Sequence, residues 1–327
     1  MPTSLDVVIV NWKAGQSLSR CVAALLDSNA TAFSFGRVVV VDNASGDGCA
    51  AALASQFPRV TVLENTMNRG FAAGCNAAAR DSRSDYLLFL NPDLVLSRDA
   101  LDKVISFFES SEARNVGICG IRLTGCDNAP AWCCWRFPTL RFMMLEMMGL
   151  DRLAPAIFRS RHMAPAELQH SREVDHVIGA FFAVRRRVFE HMGGFDETFF
   201  LYFEEVDFAL RARQRKWASY FVAEAEAVHE GRVSSDQIKG SRLLYYVSSR
   251  LIYCRKHMTR TAFAVVLAFT VLIEPVARFF HAVAGGSLSD VRYVIEGYGK
   301  LTAAATCWAW QGLQRGIQLT VFSGDQA

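Results

Sequence analysis

Four short apolar runs alternate with segments of helical periodicity between residues 5 and 91, and this alternation restricts the fold more than any other feature of the chain. The runs are LDVVIVNW (5–12), RVVVVDN (37–43), RVTVLEN (59–65) and DYLLFLN (85–91). Each is rich in β-branched or aliphatic residues and closes on polar ones, the pattern of a strand buried on both faces. The intervening segments, Gln16 to Ser28 among them, repeat their apolar residues at helical spacing. The pattern predicts β-α-β units in a mostly parallel sheet flanked by helices. In such sheets ligands bind beyond the carboxyl ends of the strands. Asn11, Asp42 with Asn43, and Asn91 with Asp93 stand at three of those ends. One Asp or Asn there is an ordinary turn former; three strand ends on one edge point to a site.

The bulk properties exclude several classes. With 51% hydrophobic and 20% charged residues over 327 positions, the chain can bury a full core. A net charge of +3 without a basic block argues against nucleic acid as a partner. Nine cysteines form no C-x-x-C pair, and Cys133 and Cys134 are adjacent, which fits reduced thiols in the cytosol. The first strand begins almost at once, without a basic leader or a cleavage site, so the catalytic part is expected to stay cytosolic. A Rossmann dehydrogenase is disfavoured, because NWKAGQS after the first strand supplies one glycine where G-x-G-x-x-G needs three.

Further along, residues 99–113 read as a helix and NVGICGIRL as another strand. Residues 124–170 form an irregular stretch rich in aromatic residues and methionine, read either as helical core or as a surface that meets substrate or lipid. In GGFDETFFLYFEEVDFALR (193–211), Gly193-Gly194 ends one helix and Glu204, Glu205 and Asp207 open the next. Acidic residues there complement the helix dipole, and Asp207 with Arg211 has the spacing of an i,i+4 pair. Carboxyl groups behind an aromatic run also gain proton affinity, as a general base requires. ASYFVAEAEAVHEG (218–231) reads as one or two final strands that end at His229. Beyond Ser241 the chain turns helical. Its uncharged run from Ala262 to Ile273 is twelve residues, too short to span a bilayer, and Arg255, Lys256, His257 and Arg260 precede it. An interfacial helix on an anionic membrane, a core helix and a subunit contact all fit this pattern.

VIVNW (8–12), VVDNASGDG (40–48), NRGFAAGCN (68–76), LNPD (90–93), the 193–211 segment and VHEG (228–231) together resemble the inverting family 2 glycosyltransferases of the GT-A fold. Bacterial rhamnosyltransferases that extend a lipid-linked oligosaccharide are the most similar subgroup. The resemblance implies an α/β GT-A nucleotide-diphospho-sugar transferase domain over 1–240, with 124–170 irregular within it, and a C-terminal helical, membrane-associating extension over 241–327. It assigns Asn11, Asp42, Asn43, Asn68, Arg69, Gly70, Asn76, Asn91 and Asp93 to donor binding. Asp93 and His229 are assigned to a divalent cation, Mg²⁺ or Mn²⁺. Glu205 takes the place of the catalytic base, with Glu204 as its rival. Asn91 replaces the first Asp of the family's D-x-D motif, and Glu205 replaces an Asp. The expected donor is dTDP-rhamnose and the acceptor a lipid-linked saccharide at the inner face of the membrane, in cell-envelope polysaccharide synthesis. UDP-galactofuranose, UDP-glucose or UDP-N-acetylglucosamine as donor, and a non-catalytic nucleotide-sugar-binding relative, remain alternatives.

Overall fold

The structure, a computed structural model, describes residues 3–155, 157–230 and 239–312. Gly231 of the VHEG motif and residues 313–327 of the expected C-terminal region lie outside the described residues. The chain forms two compact units, one of residues 1–138 with 161–234 and the other of 139–160 with 235–327.

In the first unit β1 (Ser4–Asn11), α1 (Gln16–Leu26), β2 (Ser34–Asp42), α2 (Cys49–Gln56), β3 (Val60–Glu64), α3 (Phe71–Ala79) and β4 (Tyr86–Leu90) alternate as the sequence pattern requires. β5 (Leu94–Leu96), α4 (Ala100–Glu109), β6 (Val116–Thr124) and β7 (Cys134–Trp135) follow. The second unit takes α5 (Leu140–Met148) and α6 (Leu150–Leu153). The chain then returns through β8 (Arg172–Val174), β9 (His176–Val177), β10 (Phe181–Arg185), α7 (Arg186–His191), α8 (Glu204–Gln214) and β11 (Ala218–His229). Helices α9 (Lys239–His257), α10 (Arg260–Ala268), α11 (Glu274–Ala284) and α12 (Leu288–Gly312) complete the second unit.

The main sheet runs β3-β2-β1-β4-β10-β6-β11-β5, with β8 added on β11. The helix-flanked α/β sheet expected from the sequence is present. The sheet is parallel from β3 to β4 and mixed beyond, because β10 pairs antiparallel with both β4 and β6. Register fixes the functional edge. Asn11 lies opposite Asp42, and Ile9 opposite Leu90, so three strand ends finish level. β10 starts at that edge, with Phe181 opposite Leu90, and β11 ends with His229 opposite Leu94. Apolar residues of β1, β2 and β4, such as Val7, Val40 and Leu88, are fully buried, as a sheet covered on both faces demands.

The second unit has its own polar centre. The Arg250 guanidinium, fully buried, forms a salt bridge with both oxygens of Glu274 and donates to Thr270 Oγ1 at 3.0 Å; Arg278 Nε donates to Glu274 Oε1 at 2.9 Å. This cluster corrects the sequence reading of the apolar run. Glu274 does not end the helix but turns inward to its partners. A continuous helix therefore runs Arg260–Ala284 through a π turn at Phe269–Ile273, 25 residues that are long and apolar enough to cross a membrane. Its outward side exposes Leu272, Val276, Phe280 and Val283. Residues 139–160 pack with the C-terminal helices, where Met143 Sδ meets Cys254 Sγ at 3.7 Å and Glu146 accepts from the Tyr246 hydroxyl.

Candidate active site

Three groups of side chains meet the functional edge of the sheet. At the ends of β1 and β2, Asn11 Nδ2 donates to Asp42 Oδ1 at 2.6 Å and to Ser45 Oγ at 3.0 Å. Ser45 closes the knot. Its backbone N–H donates to Asp42 Oδ2 at 3.1 Å, its hydroxyl to Oδ1 at 2.5 Å, and it accepts from Lys13 N at 2.9 Å. An Asp whose carboxylate accepts from the backbone N–H and the hydroxyl of a Ser three residues on makes a local side-chain turn, so the D-N-A-S spacing could have identified Ser45. Lys13 and Ala44 adopt left-handed backbone in the two loops that leave these strands (φ 51° and 58°). Non-glycine residues there carry strain of about 1–3 kcal/mol, a feature that concentrates at functional sites.

Asn43 points the other way. It accepts from Asn65 Nδ2 at 2.8 Å and donates to Gly70 O at 3.0 Å, tying β2 to the start of α3. Gly70 (φ 83°) passes so close to residue 200 that a Cβ would lie 2.3 Å from Phe200 O, so only glycine fits. Asn68 Oδ1 accepts from Gly70 N at 2.9 Å. Asn76 spans α3 and the loop before α8, donating to Phe195 O at 2.8 Å and accepting from Phe195 N at 3.0 Å. Arg69 pairs with Glu197 at the surface, 3.7 Å away. Arg69, Gly70 and Asn76 thus tie the start of α3 to residues 195–200, and Asn43 joins Gly70 to the end of β2.

The second group holds Asp93, buried, whose Oδ1 lies 3.3 Å from His229 Nε2. The pairing of β5 with β11 brings them together. Sequence reasoning missed the residue that fixes this pair. Glu230 donates its N–H to Asp93 O at 3.0 Å, while its carboxylate accepts from Ser17 Oγ at 2.7 Å and Arg20 Nη2 at 2.6 Å. Asn91 is set through its backbone: its N–H donates to Ala180 O at 2.8 Å, and its carbonyl accepts from Cys21 Sγ at 3.4 Å.

The third group opens α8. Tyr202 and Phe203 enter the helix in left-handed conformation (φ 70° and 68°), a strained approach that turns Glu204 and Glu205 into the protein. Burial pushes both carboxyls above the ordinary range. At Glu204 the neighbouring charge of Glu205 adds to the rise; at Glu205 helix N–H groups and the Arg161 guanidinium oppose it. Each has an Oε2 that is buried without a hydrogen-bond partner. Glu204 is buried, whereas Glu205 keeps partial exposure and packs over Gly179, whose Cβ would sit 3.8 Å from it. Residues 179–180 therefore touch Glu205 on one side and Asn91 on the other. Asp207 is structural: it pairs with Arg211 at 2.7 Å, and Arg211 also caps Met192 O and Gly194 O.

Among the described residues no group of three or more His, Cys, Asp or Glu side chains forms a metal cage. The Asp93–His229 pair offers one hard oxygen and one imidazole nitrogen. Two protein donors suit a cation that takes the rest of its shell from substrate phosphates and water, as Mg²⁺ and Mn²⁺ do in nucleotide enzymes.

A family model described as "Glycosyltransferase like family 2" matches residues 2–266. An N-acetylglucosaminyl-diphospho-decaprenol L-rhamnosyltransferase of Mycobacterium tuberculosis is 26% identical over 274 residues, 77% of this chain and 84% of the relative. Rhamnosyltransferase WbbL of Escherichia coli is 30% identical over 155 residues, 46% of this chain and 54% of the relative. Among solved structures, a Pyrobaculum calidifontis mannosyltransferase in complex with GDP-Man and Mn²⁺ shares the fold: TM-score 0.53, 17% identity, 95% of this chain and 83% of that one. The match over most of the chain, joined to a GT-A sheet with carboxylates at its functional edge, makes the protein a rhamnosyltransferase-like member of glycosyltransferase family 2.

Proposed function

We propose that this enzyme moves L-rhamnose from dTDP-rhamnose to a hydroxyl of a lipid-linked saccharide, with inversion at the anomeric carbon. The observation that carries the proposal is the shared edge on which the Asn11–Asp42 knot, the Asp93–His229 pair and Glu205 stand. Asp42 and Asn11 receive the nucleoside, and the 68–76 segment shapes the donor pocket around it. Asp93 and His229 hold a divalent cation that, when bound, neutralises charge on the departing diphosphate. Glu205 removes the proton of the acceptor hydroxyl. That oxygen then bonds to the anomeric carbon as the bond to the diphosphate oxygen breaks, and nucleoside diphosphate leaves on the opposite side. One displacement gives one inversion.

The rhamnose follows the names of both relatives, and the polyprenyl-diphosphate-linked acceptor that of the Mycobacterium tuberculosis one alone. A place at the inner face of the membrane is supported by the exposed apolar side of the Arg260–Ala284 helix and by exposed Arg255, Lys256 and Arg260. The test is a panel of dTDP-rhamnose, UDP-galactofuranose, UDP-glucose and UDP-N-acetylglucosamine assayed with Mn²⁺ for transfer and for slow hydrolysis. Preference for dTDP-rhamnose supports the reading. Preference for a UDP-sugar would replace the donor, and turnover of none would replace the activity with nucleotide-sugar binding.

A further inference from the structure

Outside the three groups above, one aromatic cluster in the first unit joins an open end to buried polar atoms without partners. β7 and β9 pair so that Trp135 faces His176, and an isolated bridge sets His162 against the other side of Trp135. Backbone bonds from Arg136 N to Arg161 O (2.8 Å) and from Met163 N to Cys134 O (3.0 Å) hold this third segment in place. Residues opposite one another across strands project from the same face, so His162, Trp135 and His176 form a row. Their rings touch: the Trp135 centroid lies 4.4 Å from that of His162 and 6.0 Å from that of His176. Trp132 extends the row outward, 5.2 Å from His162 and 48% exposed.

The row is graded from water to interior. Trp132 is open, His162 and Trp135 are half-buried, and His176 is fully buried. Two polar atoms on it, Trp135 Nε1 and His176 Nε2, are buried without a hydrogen-bond partner. Buried polar atoms are almost always hydrogen-bonded, so their persistence calls for a ligand or ordered water. Burial, with help from the Arg161 charge, drives His176 down to about 3, so it stays a neutral imidazole able to accept as well as donate. The inner end of the row reaches the catalytic helix through Arg161. Its guanidinium lies 4.3 Å from the Trp135 ring and 5.7 Å from that of Phe203, the residue before Glu204, and its charge acts on Glu205.

We propose that the Trp132–His162–Trp135–His176 row is the binding site for a pyranose ring of the acceptor saccharide, which it presents to Glu205. A pyranose has an apolar C–H face and a rim of hydroxyls. The open Trp132 indole and the half-buried His162 ring match the face, while the unpartnered Trp135 Nε1–H and His176 Nε2 behind them match the rim. Phosphate is a poorer match, since aromatic rings line the open end and the Arg161 guanidinium is buried behind them. A lipid tail would leave both unpartnered polar atoms unmet.

This assignment rests on the transferase reading, and its test separates the two. Octyl N-acetyl-β-glucosaminide serves as probe, with binding followed by saturation-transfer NMR on the full chain without donor. Trp132→Ala, at an exposed position that leaves the core untouched, is expected to weaken binding about tenfold. Trp132→Phe should restore most of it, and Trp135→Phe, which keeps a ring but removes the N–H, should weaken it again. In transfer assays the loss in Trp132→Ala should read as a raised acceptor KM and not as a lowered kcat. Absence of probe binding by the wild type, or equal binding by wild type and Trp132→Ala, overturns the site. Probe binding that depends on Trp132, with no nucleotide sugar consumed by the wild type, instead overturns the transferase reading and leaves a sugar-binding face.

Discussion

His229 Nε2 stands 3.3 Å from Asp93 Oδ1, so a residue of the last strand completes a pair begun at the end of the fourth. A pair that serves a cation makes a specific demand. Asp93→Ala and His229→Ala should each lower Mn²⁺-dependent sugar transfer, the aspartate substitution by about 10²-fold or more. Transfer measured across a Mn²⁺ titration checks this; a wild-type curve from Asp93→Ala rejects the assignment.

Glu230 anchors that pair to α1 through Ser17 and Arg20. Glu230→Gln keeps the backbone bond to Asp93 but weakens the anchor. Supporting groups behind metal ligands typically contribute 10–100-fold in affinity. Mn²⁺ affinity, read by electron paramagnetic resonance on unliganded protein, should therefore fall about tenfold, and an unaltered affinity would show that the anchor is only structural.

Glu205 and Glu204 compete for the role of base. Glu205, partly exposed over Gly179, is the one a hydroxyl can approach. Glu205→Gln is expected to lower kcat by about 10² to 10⁴ with donor affinity retained, and Glu204→Gln to retain most turnover. Only the ionised carboxyl can take a proton, so a raised proton affinity moves the acid limb of the rate profile to higher pH than an ordinary Glu would give. The reverse ranking of the two variants would pass the role to Glu204.

The same burial has a stability consequence with a definite sign. The folded state raises Glu204 above its unfolded range, so the fold binds a proton that the unfolded chain has released. Its contribution is fully present below the unfolded range, near pH 4 in model peptides and roughly there in the unfolded chain, and is lost as pH rises through the folded value. Glu204→Gln, which cannot ionise, should melt above the wild type at pH 8, and the gap should close toward pH 4. Thermal melts at the two pH values decide it; a gap that widens in acid contradicts the buried-carboxyl account.

In the helical unit Arg250 and Glu274 are both buried and bonded. Removing one partner strands the other, at a cost of about 3–5 kcal/mol, whereas replacing both with apolar residues is often neutral. Glu274→Ala should destabilise this unit strongly, and Arg250→Met with Glu274→Leu should recover much of the loss. Hydrogen exchange across residues 239–303 reads the unit separately from the sheet.

Much of this architecture is legible in the sequence because it is local. Four strands, the helices between them and the polar residues at their ends follow from periodicity that a short window contains. What escapes is set by distant partners. β7 and β9 are two residues long, too short for any alternation to show, and exist because His176 and Trp135 meet across the intervening chain. Glu274 looks like a helix stop until Arg250, a helix away, supplies its counter-charge. Asn68, Arg69 and Asn76 look like part of the nucleotide pocket from their motif, yet their visible bonds run to residues 195–200 and to Gly70, which no local pattern reveals.

The position of β11 has a consequence for how the molecule is made. This strand sits between β6 and β5, yet it is the last strand of the sheet to emerge during synthesis. A nascent chain that has reached residue 200 already owns Asn11, Asp42 and Asp93, but a gap remains in its sheet and the partner of Asp93 has not been translated. With the cation role proposed for Asp93 and His229, competence is acquired in one late step, the insertion of β11, and a ribosome-bound fragment stopped short of it would carry the donor-side motifs without the means to use them.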